Sequence, residues 1–328
     1  VTDEVMVFTP APLLTVTVEQ RGDTPDIHLH AGGQGVWQAR MIHALGVPVV
    51  MCAALGGEIG RVLGPLIEAE GIRAKGVLGE SRNGAYVHDR RGGEREEIAD
   101  APGQPLTRHE LDELYGLALA EGLGAAVSVL SGPAIPAVVP PDTYRRLAHD
   151  LCRNGCQVVA DLSGEYLEAV VHAGIRLLKV SHEELVASGR TRGDSRADLI
   201  DAMHRLHSDG ARSIVVSRAE LPALALLDGQ VVEVEMPALE PADHRGAGDS
   251  MTAGAAAVLA RGGDMSTAIR HGAAAGALNV TRHGLGTGRA DVIDGLVERV
   301  ALKPVTDGTV EPCARTTPND LANRARQG

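Results

Sequence analysis

A chain of 328 residues that is 44% hydrophobic and 23% charged has enough apolar material to bury the core of one large α/β domain or two ordinary ones. Its formal charge of −12 repels polyphosphate backbones, and one Phe, one Trp and four Tyr leave little to stack on bases, so nucleic acid is not an expected partner. No apolar run approaches the roughly 18 residues of a membrane span, and Val1-Thr2-Asp3-Glu4 lacks the features of a signal peptide, so no membrane partner and a cytoplasmic location are expected.

Short aliphatic runs alternate with helical patterns along the chain, the rhythm of a mostly parallel, doubly wound sheet with helices on both faces. Strands are predicted at Met6–Phe8, Val49–Ala53, Ala126–Leu130, Val158–Asp161, Leu177–Val180, Ser213–Ser217 and Ala223–Leu227. Helices are predicted over Val62–Glu70, Arg108–Glu121, Asp142–Arg153, Glu165–His172 and Arg196–Ser208. Several strands end in Ser131-Gly132, Asp161, Ser181 and Ser217, and ligands of such sheets gather at the carboxyl ends of strands. Leu14–His30 and Gly84–Ile98 break the rhythm with period-two alternation and together predict a small β-sheet flap. One domain over residues 1–303 is expected, with a disordered tail from Pro304. Cys52, Cys152, Cys156 and Cys313 lack the spacing of a zinc knuckle and read as reduced thiols.

The most informative stretch is Asp243-His244-Arg245-Gly246-Ala247-Gly248-Asp249-Ser250-Met251 before the small-residue run Thr252–Ala260. Glycines flanking an alanine allow a tight turn that leaves amides uncovered at a helix start, where partial positive charge binds phosphate oxygens. Asp249 would sit beside that phosphate. A carboxylate cannot help to bind it there, but it can take a proton from an approaching hydroxyl.

These residues resemble the second signature of the PfkB/ribokinase family of carbohydrate kinases, D-T-x-G-A-G-D, and Gly248-Asp249-Ser250-Met251 is most similar to its phosphofructokinase branch. The resemblance extends in order from about Val5 to about Val300. His30-Ala31-Gly32-Gly33-Gln34-Gly35 with Ala39-Arg40 and Leu45-Gly46 is similar to the sugar-holding glycine loop and helix. Leu130-Ser131-Gly132, Asp161-Leu162-Ser163-Gly164-Glu165 and Lys179-Val180-Ser181-His182-Glu183-Glu184-Leu185 resemble further family stretches.

The resemblance implies a ribokinase-like fold and ATP-dependent phosphoryl transfer to a sugar or sugar phosphate, 1-phosphofructokinase-like, with ATP and Mg²⁺. By residue it implies Asp249 as the base and the amides of Gly246, Ala247 and Gly248 as the anion hole. Lys179, Ser181, Ser217, Arg245 and Gly284 would lie along the nucleotide, and Glu184 would organise the Mg²⁺ water shell. Thr15, Gly32, Gly33, Gln34, Trp37 and Ser131 would face the substrate. Some relatives contact a monovalent cation near the place of Arg282, and flap strands in the family often pair between subunits, which implies a homodimer.

The chain departs from the family pattern where substrate and nucleotide are recognised. Thr15 stands where relatives carry a sugar-binding Asp, Gln34 and Trp37 replace Lys and Asn of the glycine loop, and Glu97 aligns with a flap Arg that holds substrate phosphate. This predicts a pocket that takes a different ligand, an unphosphorylated sugar or a nucleoside-like molecule. After the sixth strand the usual S-x-G-x-x-G is Ser217-Arg218-Ala219-Glu220-Leu221-Pro222, and Pro222 has no amide to offer. The alternative reading is a weak or inactive descendant that binds a metabolite or partner.

Overall fold

The computed structural model describes residues 3–305 apart from 94, 134, 238, 241, 243, 244 and 283. Asp243 and His244 of the signature, and the expected tail from residue 306 onward with Cys313, lie outside the described residues.

In chain order the elements begin with β1 (Val5–Phe8), β2 (Leu13–Arg21), β3 (Thr24–Gly32), α1 (Gln34–Ala44), β4 (Val49–Ala54), α2 (Gly57–Ala69), β5 (Arg73–Val77), β6 (Ala85–Asp89) and β7 (Glu96–Ala101). The middle of the chain forms α3 (Arg108–Gly124), β8 (Val127–Ser131), α4 (Pro141–Arg153), β9 (Gln157–Asp161), α5 (Gly164–Val170), β10 (Leu177–Ser181), α6 (His182–Ala187) and α7 (Arg196–Asp209). It closes with β11 (Ile214–Arg218), β12 (Leu221–Leu227), β13 (Gln230–Glu235), α8 (Ala247–Ala260), α9 (Met265–Asn279), α10 (Ala290–Val297) and β14 (Ala301–Pro304). Pro304, expected to open the tail, instead ends a strand that pairs with β13.

The large sheet has ten strands in the order β14-β13-β12-β11-β10-β9-β8-β1-β4-β5. Strands from β11 through β5 are parallel, and β12, β13 and β14 add antiparallel at one edge. Alternation along each central strand splits the core in two. Val5 and Val7 of β1 pack with α1, α2, α8 and α9 on one face. Met6 and Phe8 pack with α3, α4, α5 and α7 on the other. Polar caps start several of the helices: Thr107 and Glu110 form a reciprocal capping box on α3, and Ser195 and Asp264 cap α7 and α9.

Four strands form the separate flap sheet, in the order β3-β2-β6-β7. Cross-strand register puts Thr15, Thr17, His28 and His30 on one face and Val16, Val18, Ile27 and Leu29 on the other. Ile27 and Leu29 are 64% and 47% exposed, so the flap's outer face is both apolar and uncovered. The sequence reading missed β5, β13 and β14, short edge-side strands with weak patterns. It also began the second helix late, because Gly57 and Gly60 mask the periodicity of its first turn.

Cys152 and Cys156, four apart in what the sequence reads as one helix, are separated by the structure: Cys152 lies in α4, but Cys156 follows its end, and both thiols are free.

Candidate active site

β1 lies at the switch point of the sheet, with β4 on one side and β8 on the other, and the strand ends beside it carry the polar side chains. Asp161 at the end of β9 is their hub. Its Oδ1 accepts from Lys179 Nζ at 3.2 Å. Its Oδ2 accepts from Gln38 Nε2 at 2.9 Å and from Thr252 Oγ1 at 2.8 Å. Ser131 Oγ in turn donates to Gln38 Oε1. Asp161, Gln38, Ser131 and Thr252 are buried, so every member of this network has a partner where a lone charge would be costly.

Above the hub, α8 starts at Gly246, whose φ of 72° lies in the left-handed region that favours glycine. No side chain caps this helix, so its first-turn amides point outward unclaimed by a cap. A Cβ on Gly248 would stand 2.4 Å from Lys179 Nζ, so only glycine lets the buried ammonium sit against the helix start. Asn279 of α9 holds the approach: its Nδ2 donates to the Arg245 carbonyl at 2.7 Å and its Oδ1 accepts from the Gly286 amide at 3.1 Å.

Asp249 occupies the first turn of α8. Burial and then the Asp161 charge push its carboxyl up to about 8; Glu184 adds to the rise, while Lys179 and a hydrogen bond from Gln38 oppose it. Lys179 is also raised: burial works against its charge, but Asp161, Asp249 and Glu184 outweigh it. Glu184 therefore belongs electrostatically to this cluster. Its Oε2 also accepts from the Ser181 amide at 2.7 Å, while Ser181 Oγ accepts from the Glu184 amide at 3.2 Å, a capping box that starts α6.

A cleft of about 220 Å³ opens between the flap's polar face and the α1 and α8 starts. Thr15, Trp37, Tyr86, Arg95, Asp100 and Arg245 line it. Thr15, Tyr86 and Asp100 form one row across β2, β6 and β7.

Of the residues expected to face substrate, Thr15 and Trp37 line this cleft, whereas Gln34 and Ser131 sit behind it. Gln34 Nε2 donates to the Asp161 carbonyl at 3.0 Å, and Ser131 is fully buried, with its carbonyl accepting from Tyr144. Gly32 ends β3, and Gly33 is the residue before α1. Ser217 pairs in register with Ser181. The segment after it, which stands where relatives carry S-x-G-x-x-G, is a tight turn between β11 and β12 in which Ala219 is held at φ 47°. Gly284 lies exposed in the loop after α9, where its carbonyl accepts from Thr287. Glu97 lies in the exposed β7, and the flap guanidinium that reaches the cleft is that of Arg95. Sequence reasoning named Asp161 only as a candidate at a strand end and assigned no role to Gln38, Asn279, Arg95 or Asp100. Only Asp161 carried a signal, as an acid closing a parallel strand.

Residues 4–291 match the model of the pfkB family of carbohydrate kinases. The chain belongs to that family. This carbohydrate kinase is 29% identical over 281 residues to ATP-dependent 6-phosphofructokinase isozyme 2 of Mycobacterium tuberculosis, covering 82% of this chain and 80% of that protein. It is 27% identical over 263 residues to 1-phosphofructokinase of Haloferax volcanii, covering 80% and 82%. Phosphofructokinase-2 of Escherichia coli, solved with potassium, superposes with a TM-score of 0.78 at 25% identity, covering 90% of the kinase and 98% of that chain. A ribokinase of Arabidopsis thaliana, at 19% identity and a TM-score of 0.68, shares the fold. Among the described residues no helix is long and apolar enough to cross a membrane.

Proposed function

We propose that this kinase transfers the terminal phosphoryl group of ATP to a hydroxyl of a sugar phosphate of the phosphofructose kind, with Asp249 as the general base. The observation that carries the reading is Asp249 itself. It is a carboxylate in the uncapped first turn of a helix, with its proton affinity raised into the range where a base works near neutral pH. The amides at Gly246, Ala247 and Gly248 face the place where charge develops on the moving phosphoryl group, and the Lys179 ammonium supports them from below.

The donor set suits a magnesium nucleotide. Mg²⁺ keeps most of its waters and needs few carboxylates beside phosphate oxygens, which Glu184 and Asp249 can satisfy through water. Lys179, Ser181 and Ser217 at adjacent strand ends, with Arg245 and Gly284 on the neighbouring loops, would hold the nucleotide. When bound, the magnesium nucleotide supplies the phosphoryl group and neutralises part of its charge.

A phosphorylated acceptor is favoured by Arg95 and Arg245, two guanidiniums lining one small cleft. They supply the cationic recognition that the Glu97 position lacks. Asp100, in the Thr15 row, can accept from a sugar hydroxyl. The apolar outer face of the flap, with Ile27 and Leu29 exposed, suits a second copy of the chain. One Escherichia coli phosphofructokinase-2 structure is tetrameric.

The test is release of ADP with fructose 6-phosphate, fructose 1-phosphate and fructose as acceptors. One of the phosphates should give a higher kcat/KM than fructose, and Asp249→Asn should lower kcat about 10²–10⁴-fold with the nucleotide still bound. Turnover of the variant above half the parental rate would rule out Asp249 as the base. A preference for free fructose would rule out the phosphate-binding cleft.

A further inference from the structure

Buried in the flap is an imidazole that the chemistry above does not use. His88 of β6 is 3% exposed and lies opposite Thr17 of β2. Its Nε2 is 3.2 Å from Thr17 Oγ1, and its Nδ1 is 3.2 Å from a terminal nitrogen of Arg95. The Arg95 guanidinium lies over the Tyr86 ring, 4.9 Å from its centroid, and Arg95 and Tyr86 both line the cleft.

The proton inventory of these groups decides the tautomer. A guanidinium has only donors, so Nδ1 must be the acceptor. The ring proton therefore resides on Nε2 and is donated to Thr17 Oγ1. Burial, and then the charges of Arg95, Arg90 and Arg245, hold the imidazole neutral and push its pKa down to about 4, against the opposite pull of Glu19. Glu97 is its register partner on β7.

A neutral acceptor at this place has a specific consequence. A carboxylate would orient the Arg95 fork equally well but would cancel the charge that an incoming phosphate requires. The imidazole holds one edge of the guanidinium and the Tyr86 face holds its plane, and neither contact brings a negative charge of its own to the cleft.

Resting on the reading of the cleft as a sugar-phosphate site, we propose that His88 is a positioning and specificity residue, which holds Arg95 across Tyr86 so that its guanidinium receives the phosphate of the acceptor. Thr17 is the outer member of this relay, because it fixes the ring tautomer that makes Nδ1 an acceptor.

The experiment compares His88→Leu with His88→Asn, two side chains of similar size. The Asn carboxamide oxygen can stand close to the place of Nδ1, whereas Leu has no acceptor. Kinetics are read with the phosphorylated fructose that the kinase uses and with fructose. Binding of the same phosphate is read by calorimetry without nucleotide.

His88→Leu should raise KM and Kd for the sugar phosphate about tenfold, with kcat changed less than about threefold and the weak use of fructose unaffected. His88→Asn should recover most of the loss. In an Arg95→Ala background His88→Leu should add less than about twofold, because the group it positions is gone. An equal KM penalty in that background, a matching penalty with fructose, or a folded His88→Asn as impaired as Leu would overturn the proposal. If His88→Leu does not fold, His88→Gln takes its place, since its longer amide points its oxygen toward Thr17 rather than Arg95. If Arg95→Ala leaves KM for the sugar phosphate unchanged, the phosphate-site reading itself is wrong. If Arg95→Ala raises KM while His88→Leu does not, only the role of His88 is wrong.

Discussion

The two ends of the proposed active site are built on different principles. The proposed phosphoryl end rests on Asp161 at the end of β9, whose carboxylate accepts from Lys179 of β10, Gln38 of α1 and Thr252 of α8. The proposed acceptor end is a cleft whose charged groups are Arg95 and Asp100 of the flap, which has an exposed outer face, and Arg245 before α8. A reaction-centre charge that must stay in one geometry through catalysis is placed where packing and a satisfied network hold it. A charge that meets a diffusing substrate is placed on an element with solvent on its far side. The same contrast separates what is costly to change in this protein from what changes specificity.

The sharpest way to break that contrast is Asp161→Ala. Removing Asp161 takes the hydrogen-bonded partner from the buried Lys179 ammonium and leaves Gln38 and Thr252 without this acceptor, and the expected loss is about 3–5 kcal/mol of folding stability, read as a lower denaturant midpoint. Arg95→Ala, on the flap, should lose less than about 1 kcal/mol. If the two variants were equally destabilised, the acceptor end would be as structural as the hub.

A smaller effect sharpens the account of Asp249. A base must be unprotonated, so with its carboxyl pushed up to about 8, kcat/KM should rise about tenfold per pH unit on the acidic side and level off above that value. Asp249→Asn should lose this limb. The same shift has a stability consequence of opposite usefulness. The folded state holds the Asp249 proton more tightly than the unfolded chain does, so between the ordinary carboxylate range and about 8 this group lowers stability as pH rises. Asp249→Asn should therefore melt higher than the parent near pH 8, and by a smaller margin near pH 5. An equal or lower melting temperature at pH 8 would mean that the carboxylate is not destabilised by its surroundings.

The smallest effect lies at the turn after β11. Ala219 is held at φ 47°, a conformation that costs a non-glycine residue about 1 kcal/mol. Ala219→Gly should raise stability by about 0.5 kcal/mol or leave it unchanged, because relief of strain is partly offset by the greater freedom of glycine in the unfolded chain. A clear loss of stability would show that the Ala219 methyl contributes packing that outweighs the strain.

Much of the architecture was legible because it depends on local, periodic signals. Aliphatic runs such as Val158–Asp161 and Leu177–Val180 can be buried on both faces only in a covered parallel sheet, and period-two alternation at Leu14–His30 marked the flap. Gly246-Ala247-Gly248-Asp249 was legible for the same reason, since an uncapped helix start and its acid are neighbours in sequence. Even so, the sequence placed Gln34 and Ser131 against substrate when both turn back to the hub. A side chain at a loop–helix junction can face either way, and the Asp161 carbonyl that takes Gln34 is 127 residues distant.

The sequence by itself determined the fold class, the family and the Gly246-Ala247-Gly248-Asp249 helix start on which the proposed base lies, because each is carried by residues adjacent or periodic in the chain. Only the tertiary structure decided what surrounds them. Asp161 gathers partners from three separate elements, and a bulge in the β6–β7 pairing shifts the register between Val87 and His88, so that His88 stands opposite Glu97 while Arg95 lines the cleft. Such contacts depend on where strands and helices come to rest in space, which separation along the chain does not encode.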